Sequence, residues 1–208
     1  MDDVMLLLFQ IVVLVYSVVI HEVSHGLAAQ ALGDHTAEHA GRLTLNPLKH
    51  LDMFGSFILP LLLVVARAPF LFGYAKPVPY NPDNLSDRVY GPAKVAMAGP
   101  VSNLALAVIF GLALRVMVET GYSGLFTNLF SYIVALNLVL AIFNLVPIPP
   151  LDGHWLLMIA LPVRWFGLRT ALYRYSLPFL FIFIVFLFPF LSPVIAGLYF
   201  LITGQSWQ

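Results

Sequence analysis

The sequence predicts an all-α polytopic membrane protein, and three observations carry that reading. Hydrophobic residues make up 61% of the 208 and charged residues only 10%, against roughly 45–50% and about 25% in soluble chains. Several apolar runs reach the ~20 residues a helix needs to cross a bilayer. Polar or proline-rich stretches at 34–52, 73–91 and 147–153 separate those runs. A single integral membrane domain over 1–208 is expected, with a core of about 4–160 and C-terminal helices over about 162–204. Its surroundings are the lipid bilayer.

The elements follow in order. Residues 4–33 read as one helix that starts after Asp2-Asp3 and stops at Gly33, with Asp34 as a turn residue beyond it. A cleaved signal peptide would carry positive charge before its apolar stretch; two aspartates stand there, so a retained helix is expected. Residues 34–52 are polar, and the alternation in GRLTLNP predicts a short β-hairpin near 41–47. Residues 53–72 are apolar but interrupted by Pro60, Arg67 and Pro69, and the stretch 73–91 is a loop rich in Pro, Asn and Asp. Helices run over 92–119 and 124–146 until PIPPLDG breaks the chain, because Pro147, Pro149 and Pro150 cannot continue a helix. A shorter helix reaches about Leu161, and the apolar region 171–203 is punctuated by Pro178, Pro189 and Pro193.

Basic residues set the orientation. Arg42, Lys49, Lys76, Arg88 and Lys94 flank the middle apolar segment, and Arg164, Arg169 and Arg174 follow PIPPLDG. The positive-inside rule makes those stretches cytoplasmic and the N-terminus external. Residues 53–72 then start and end on one side, so a re-entrant segment is expected there, shielded by neighbouring protein. A formal net charge of zero and the lack of a basic stripe interleaved with aromatics give nucleic-acid binding no support. The chain has no cysteine, so any metal must be held by His, Asp or Glu.

Two patterns in HEVSHGLAAQALGDHTAEH could hold such a metal. In HEVSH the imidazoles of His21 and His25 project from one helical face a turn apart, with Glu22 beside the open coordination position as general base. Three ionisable residues within five positions of a membrane helix are costly and point to function. HTAEH follows the Gly33-Asp34 stop, where polar residues cost nothing, and His35, Glu38 and His39 read as solvated loop. Catalytic zinc takes three protein ligands. Candidates for the third are Asp152, His154 and Glu119. Asp152 ranks first, since Glu119 falls on the opposite membrane side; Asp152 can also be read as the N-cap of the following helix. Asn103 in GPVSN and Asn144 near the proline break either bond a neighbouring helix or donate to a substrate carbonyl or a developing oxyanion. Asn144 is favoured, because its helix also delivers Asp152.

HEVSH in the first helix, GPVSN in a middle helix and NLVPIPPLDG after the next together resemble the site-2 protease family of intramembrane zinc metalloproteases, in its compact bacterial and archaeal form without PDZ or CBS domains. The resemblance spans about residues 10–160 and includes GRLTLNPLKHLDMFGSF and GYAKPVPYNP. The usual NPDG-type signature stands here as PPLDG, which leaves the amide role on Asn144, eight residues before Asp152. The resemblance implies a three-helix catalytic core at 4–33, 92–119 and 124–146. It implies zinc on His21, His25 and Asp152, Glu22 as the base, and cleavage of transmembrane protein substrates from a prokaryotic cell (inner) membrane. Two other readings stay open: a metal-binding membrane transporter, against which stands the lack of an internal repeat, and a catalytically inactive zinc-binding scaffold.

Overall fold

A computed structural model describes residues 3–65, 67 and 73–207. All regular elements among them are helical, and the chain divides into two compact units, Met1–Ser86 and Asp87–Gln208.

The first unit is built on α1 (Asp3–Ala31), 29 residues and about 43 Å of rise. Its first half is apolar and exposed, from Val4 to Leu14, as a lipid-facing surface requires; its buried residues begin at Ser17 and include His21, Val23, Gly26 and Ala29. The helix ends in a Schellman turn: Gly33 takes φ +100°, its amide bonds the Gln30 carbonyl, and the Asp34 amide reaches back to Ala29. A second such turn at Gly41 closes the one-turn helix α2 (Thr36–His39). HTAEH is therefore a helical turn and not open loop, too short to leave a periodic trace.

The hairpin expected near 41–47 does not form. Among the described residues there is no strand, and local hydrogen bonds explain why. The Arg42 amide is spent on Ala37, Thr44 Oγ1 accepts the Asn46 amide, and Asn46 Oδ1 caps the 3₁₀ turn Pro47–Lys49. Side-chain turns of this kind compete with a ladder for the same backbone groups. Asp52 caps the next segment, six residues of π-helix (Met53–Ile58) leading into α3 (Leu59–Val65). That is about 20 Å of rise, short of a ~30 Å crossing. The rest of the expected re-entrant segment, residues 66 and 68–72, lies outside the described residues.

The second unit holds α4 (Gly91–Glu119), α5 (Leu125–Asn144), α6 (His154–Ala160), α7 (Phe166–Arg174), α8 (Ser176–Ile182) and α9 (Ser192–Thr203). A π turn and a 3₁₀ turn, Phe183–Leu187 and Phe188–Leu191, join α8 to α9 around Pro189. Helices α4, α5 and α9 enclose a core of Ala107, Val134, Leu138, Ile195 and Tyr199. Gly111 permits the approach of α9, since a Cβ there would stand 2.4 Å from Ile202 Cγ2. Ser131 and Tyr199 share a hydroxyl hydrogen bond of 2.7 Å across α5 and α9.

Four of the described helical stretches are long and apolar enough to cross a membrane: α1, α4, α5 and the run Ser176–Thr203. Only 17–22% of their most apolar windows is buried inside protein. The exposed remainder needs lipid, and the chain is a polytopic integral membrane protein.

Candidate metal centre

On α1 the i, i+4 spacing does what the sequence predicts. His21 Nε2 and His25 Nε2 lie 3.1 Å apart, with ring centroids 4.7 Å apart and ring planes at 88°. Two imidazole nitrogens on one tetrahedral zinc, each at ~2.0–2.1 Å, would be separated by about 3.3 Å. Gly26 follows immediately and lets side chains pack close: a Cβ there would meet Leu43 Cδ2 at 2.5 Å and Val78 Cγ1 at 2.9 Å, and those methyls would have to shift.

Val78 belongs to an extended strap, residues 73–81, whose form is written in its sequence. Pro77 and Pro79 push Lys76 and Val78 towards extended backbone and leave two positions without an amide hydrogen. Four of the remaining amides are spent in turn. Tyr74 donates to the Gly55 carbonyl (3.1 Å), Lys76 to the His50 carbonyl (2.8 Å), Val78 to Glu22 Oε2 (2.9 Å) and Asn81 to Asp34 Oδ2 (2.7 Å). The Glu22 carboxylate is thus held by a backbone amide of the strap.

Two buried groups hold the strap to the rest of its unit. Arg42, 7% exposed, donates from Nη2 to the carbonyls of Lys76 (2.7 Å) and Pro77 (3.4 Å). Asp34, fully buried, accepts from the Thr36 hydroxyl and amide, the Asn81 amide and Asn84 Nδ2. Burial pushes the Asp34 carboxyl up, but the hydrogen bonds from Thr36, Asn84 and Asn81 outweigh it and hold it below its ordinary value. Neither role is visible in sequence, where Arg42 is a topology charge and Asp34 a turn residue. Only the Pro-x-Pro spacing signals the strap.

Asp152 lies in the second unit, in the tight turn after α5. The Gly153 amide bonds the Asn144 carbonyl (2.7 Å), and a Cβ on Gly153 would stand 2.1 Å from the Leu145 carbonyl oxygen. Asp152 does not cap α6: the cap residue is Gly153, and no side chain accepts the first amides. His154 is buried, and its Nδ1–H donates to the Leu151 carbonyl (2.6 Å) while its ring meets Tyr173 edge-on. Burial holds the His154 imidazole below its ordinary value.

The asparagines have partners inside their own unit. Asn103 Nδ2 donates to Asn137 Oδ1 (2.8 Å), both side chains fully buried, and Asn137 Nδ2 donates to the Ile133 carbonyl. Asn137 carries no motif and was not legible as a partner. Asn144 Nδ2 back-bonds the Leu140 carbonyl (2.9 Å), which spends one of its two donors. In HTAEH, Glu38 Oε2 lies 2.7 Å from His35 Nδ1 and accepts from Gln30 Nε2 at 2.8 Å, so its carboxylate is engaged at the surface.

The helices and the converging histidines define a class: a polytopic membrane protein with a helix-borne histidine pair at a spacing that suits metal ligation. Comparison with known proteins gives that class a family. The profile of Peptidase family M50 matches residues 116–187, the stretch that contains Asp152. YwhC of Bacillus subtilis, whose name gives it as a zinc metalloprotease, is 38% identical over 196 residues, covering 89% of this chain and 81% of its own. Rip2 of Mycolicibacterium smegmatis, named likewise, is 30% identical over 138 residues, 66% of this chain and 51% of its own. MJ0611 of Methanocaldococcus jannaschii is 41% identical over 61 residues, 29% of this chain and 30% of its own. No solved structure gives a significant match. The chain belongs to peptidase family M50, the site-2 protease family of zinc metalloproteases.

Proposed function

We propose that the chain is an intramembrane zinc endopeptidase that cleaves other proteins in or near their transmembrane segments. The observation that carries the reading is the convergence of His21 and His25 Nε2 at 3.1 Å beside a Glu22 carboxylate held by the Val78 amide. We assign the ligand set to His21, His25 and Asp152, two nitrogens and a carboxylate oxygen, on the sequence motifs that carry the family resemblance. Such a borderline-soft, three-donor set suits zinc and leaves one position open.

When bound, zinc supplies Lewis-acid polarisation of a carbonyl and acidification of water. The other steps belong to side chains. Glu22 takes the proton of the attacking water and passes it to the leaving amine. Asn144 keeps a second amide hydrogen, which we assign to the substrate carbonyl as its negative charge develops. The family resemblance assigns the catalytic core to helices α1, α4 and α5.

Hydrolysis needs water, and the charge pattern brings it. With four spans among the described residues, the basic stretches 34–52, 73–94 and 162–175 inside put both ends of the chain outside. HEVSH then lies in the half of α1 that exits to the cytoplasm, where a polar path is short. A helical substrate hides its carbonyls and must unwind locally to be cut.

The test is to purify wild type and Glu22→Gln in detergent, measure zinc by mass spectrometry, and incubate each with host membrane vesicles. New protein termini are then mapped. Zinc in both proteins, with termini inside apolar segments only for wild type, is the expected result. Cleavage that survives in Glu22→Gln would sink the mechanism.

A further inference from the structure

Arg42 is a buried cation whose hydrogen bonds run to carbonyls and not to a carboxylate. Its Nε, also buried, has no hydrogen-bond partner among the described residues. Burying a charge on such terms is expensive, so the contact it does make carries the explanation. That contact is with the Lys76 carbonyl, two residues before the amide that grips Glu22. In extended backbone, residues i and i+2 direct their polar groups to the same side. Fixing the Lys76 carbonyl therefore fixes the Val78 amide. The Lys76 amide, bonded to the His50 carbonyl, closes the other half of the clamp.

We infer that Arg42 is a positioning residue for hydrolysis: through the strap 76–78 it sets the Val78 amide, which in turn sets the Glu22 carboxylate. The inference rests on the reading of Glu22 as the base. Only one guanidinium nitrogen, Nη2, makes both contacts, so a lysine ammonium can replace it while glutamine cannot supply the charge-assisted bond. A misplaced base slows chemistry more than binding, so the effect falls on kcat and not on KM.

The experiment uses the purified full chain and a single-span membrane protein taken from the vesicle screen. Arg42→Gln is expected to lower kcat about tenfold with KM within about twofold, and Arg42→Lys to recover most of the loss, with zinc content unchanged in both. Hydrogen exchange over residues 73–81 reads the linkage without any turnover. It rises in Arg42→Gln and in Glu22→Ala, and stays slow in Arg42→Lys and in Glu22→Gln, whose amide oxygen still accepts. Unchanged exchange in Arg42→Gln, or loss of its zinc, overturns the inference. Should Arg42→Gln fail to fold, unchanged exchange in Glu22→Ala overturns it alone. Cleavage by Glu22→Gln would instead sink the protease mechanism and leave the exchange result standing.

Discussion

Gly153 has an ordinary helical φ of −58°, yet a side chain cannot stand there. Its Cβ would sit 2.1 Å from the backbone oxygen of Leu145, the residue that caps α5. Gly153→Ala should therefore displace the Asp152 turn, costing about 1–3 kcal/mol of stability, and zinc content should fall with it. Gly26→Ala meets side-chain methyls instead, so its unfolding midpoint should drop less. Asp34 offers a pH test. Its folded value is lowered, so its stabilisation is present above the ordinary value of 3.8 and is lost as pH falls through the lower folded one. Asp34→Asn should flatten that acid limb and weaken the protein at neutral pH by about 1–3 kcal/mol, as measured by thermal unfolding at stepped pH. HEVSH was legible because its spacing is itself the geometry. Asp34 and Arg42 were not, since their distant partners, the Lys76 carbonyl, the Asn81 amide and the Asn84 side chain, lie 34, 47 and 50 residues away in sequence.

At the scale of elements, apolar runs foretold the helices and prolines foretold their ends. The sequence placed the first helix at 4–33 and the structure places it at Asp3–Ala31. The failures share a cause. Alternation in GRLTLNP lost to Thr44 and Asn46 turns, and the strap has no periodicity because alternate prolines set its backbone. The Asn103–Asn137 bond ties α4 to α5 in a low-dielectric interior. A double-mutant cycle to alanine should give a coupling of about 0.6 kcal/mol, and under about 1.7, because amides in a membrane find substitute partners when unfolded.

For the whole molecule, the testable statement is orientation. The native chain has no cysteine, so single cysteines report cleanly. Leu48→Cys, at a position 74% exposed in the loop after α2, should resist a membrane-impermeant maleimide in intact cells. Tyr122→Cys, between α4 and α5, should react. The reverse pattern would invert the topology and place the HEVSH exit outside. The spans α1, α4 and α5 were readable from hydropathy, and the C-terminal run only as an apolar region broken by prolines. The division into two units was not, because Asp87 follows a loop that carries no compositional break.

The four bonds on Asp34, with the Ser86 amide on the Leu32 carbonyl, have a consequence for how the protein fails. They pinch the chain where it leaves α1 and where it returns, so everything between is an excursion gathered at one neck. A closed excursion of that size is a natural unit of sub-global opening, with its own free energy below that of the spans. Release the neck and the Val78 amide leaves Glu22 while every membrane helix stays in place. Acid below the ordinary carboxyl value of 3.8 should thus disarm the site reversibly before the spans give way, whereas milder acid should leave the neck closed.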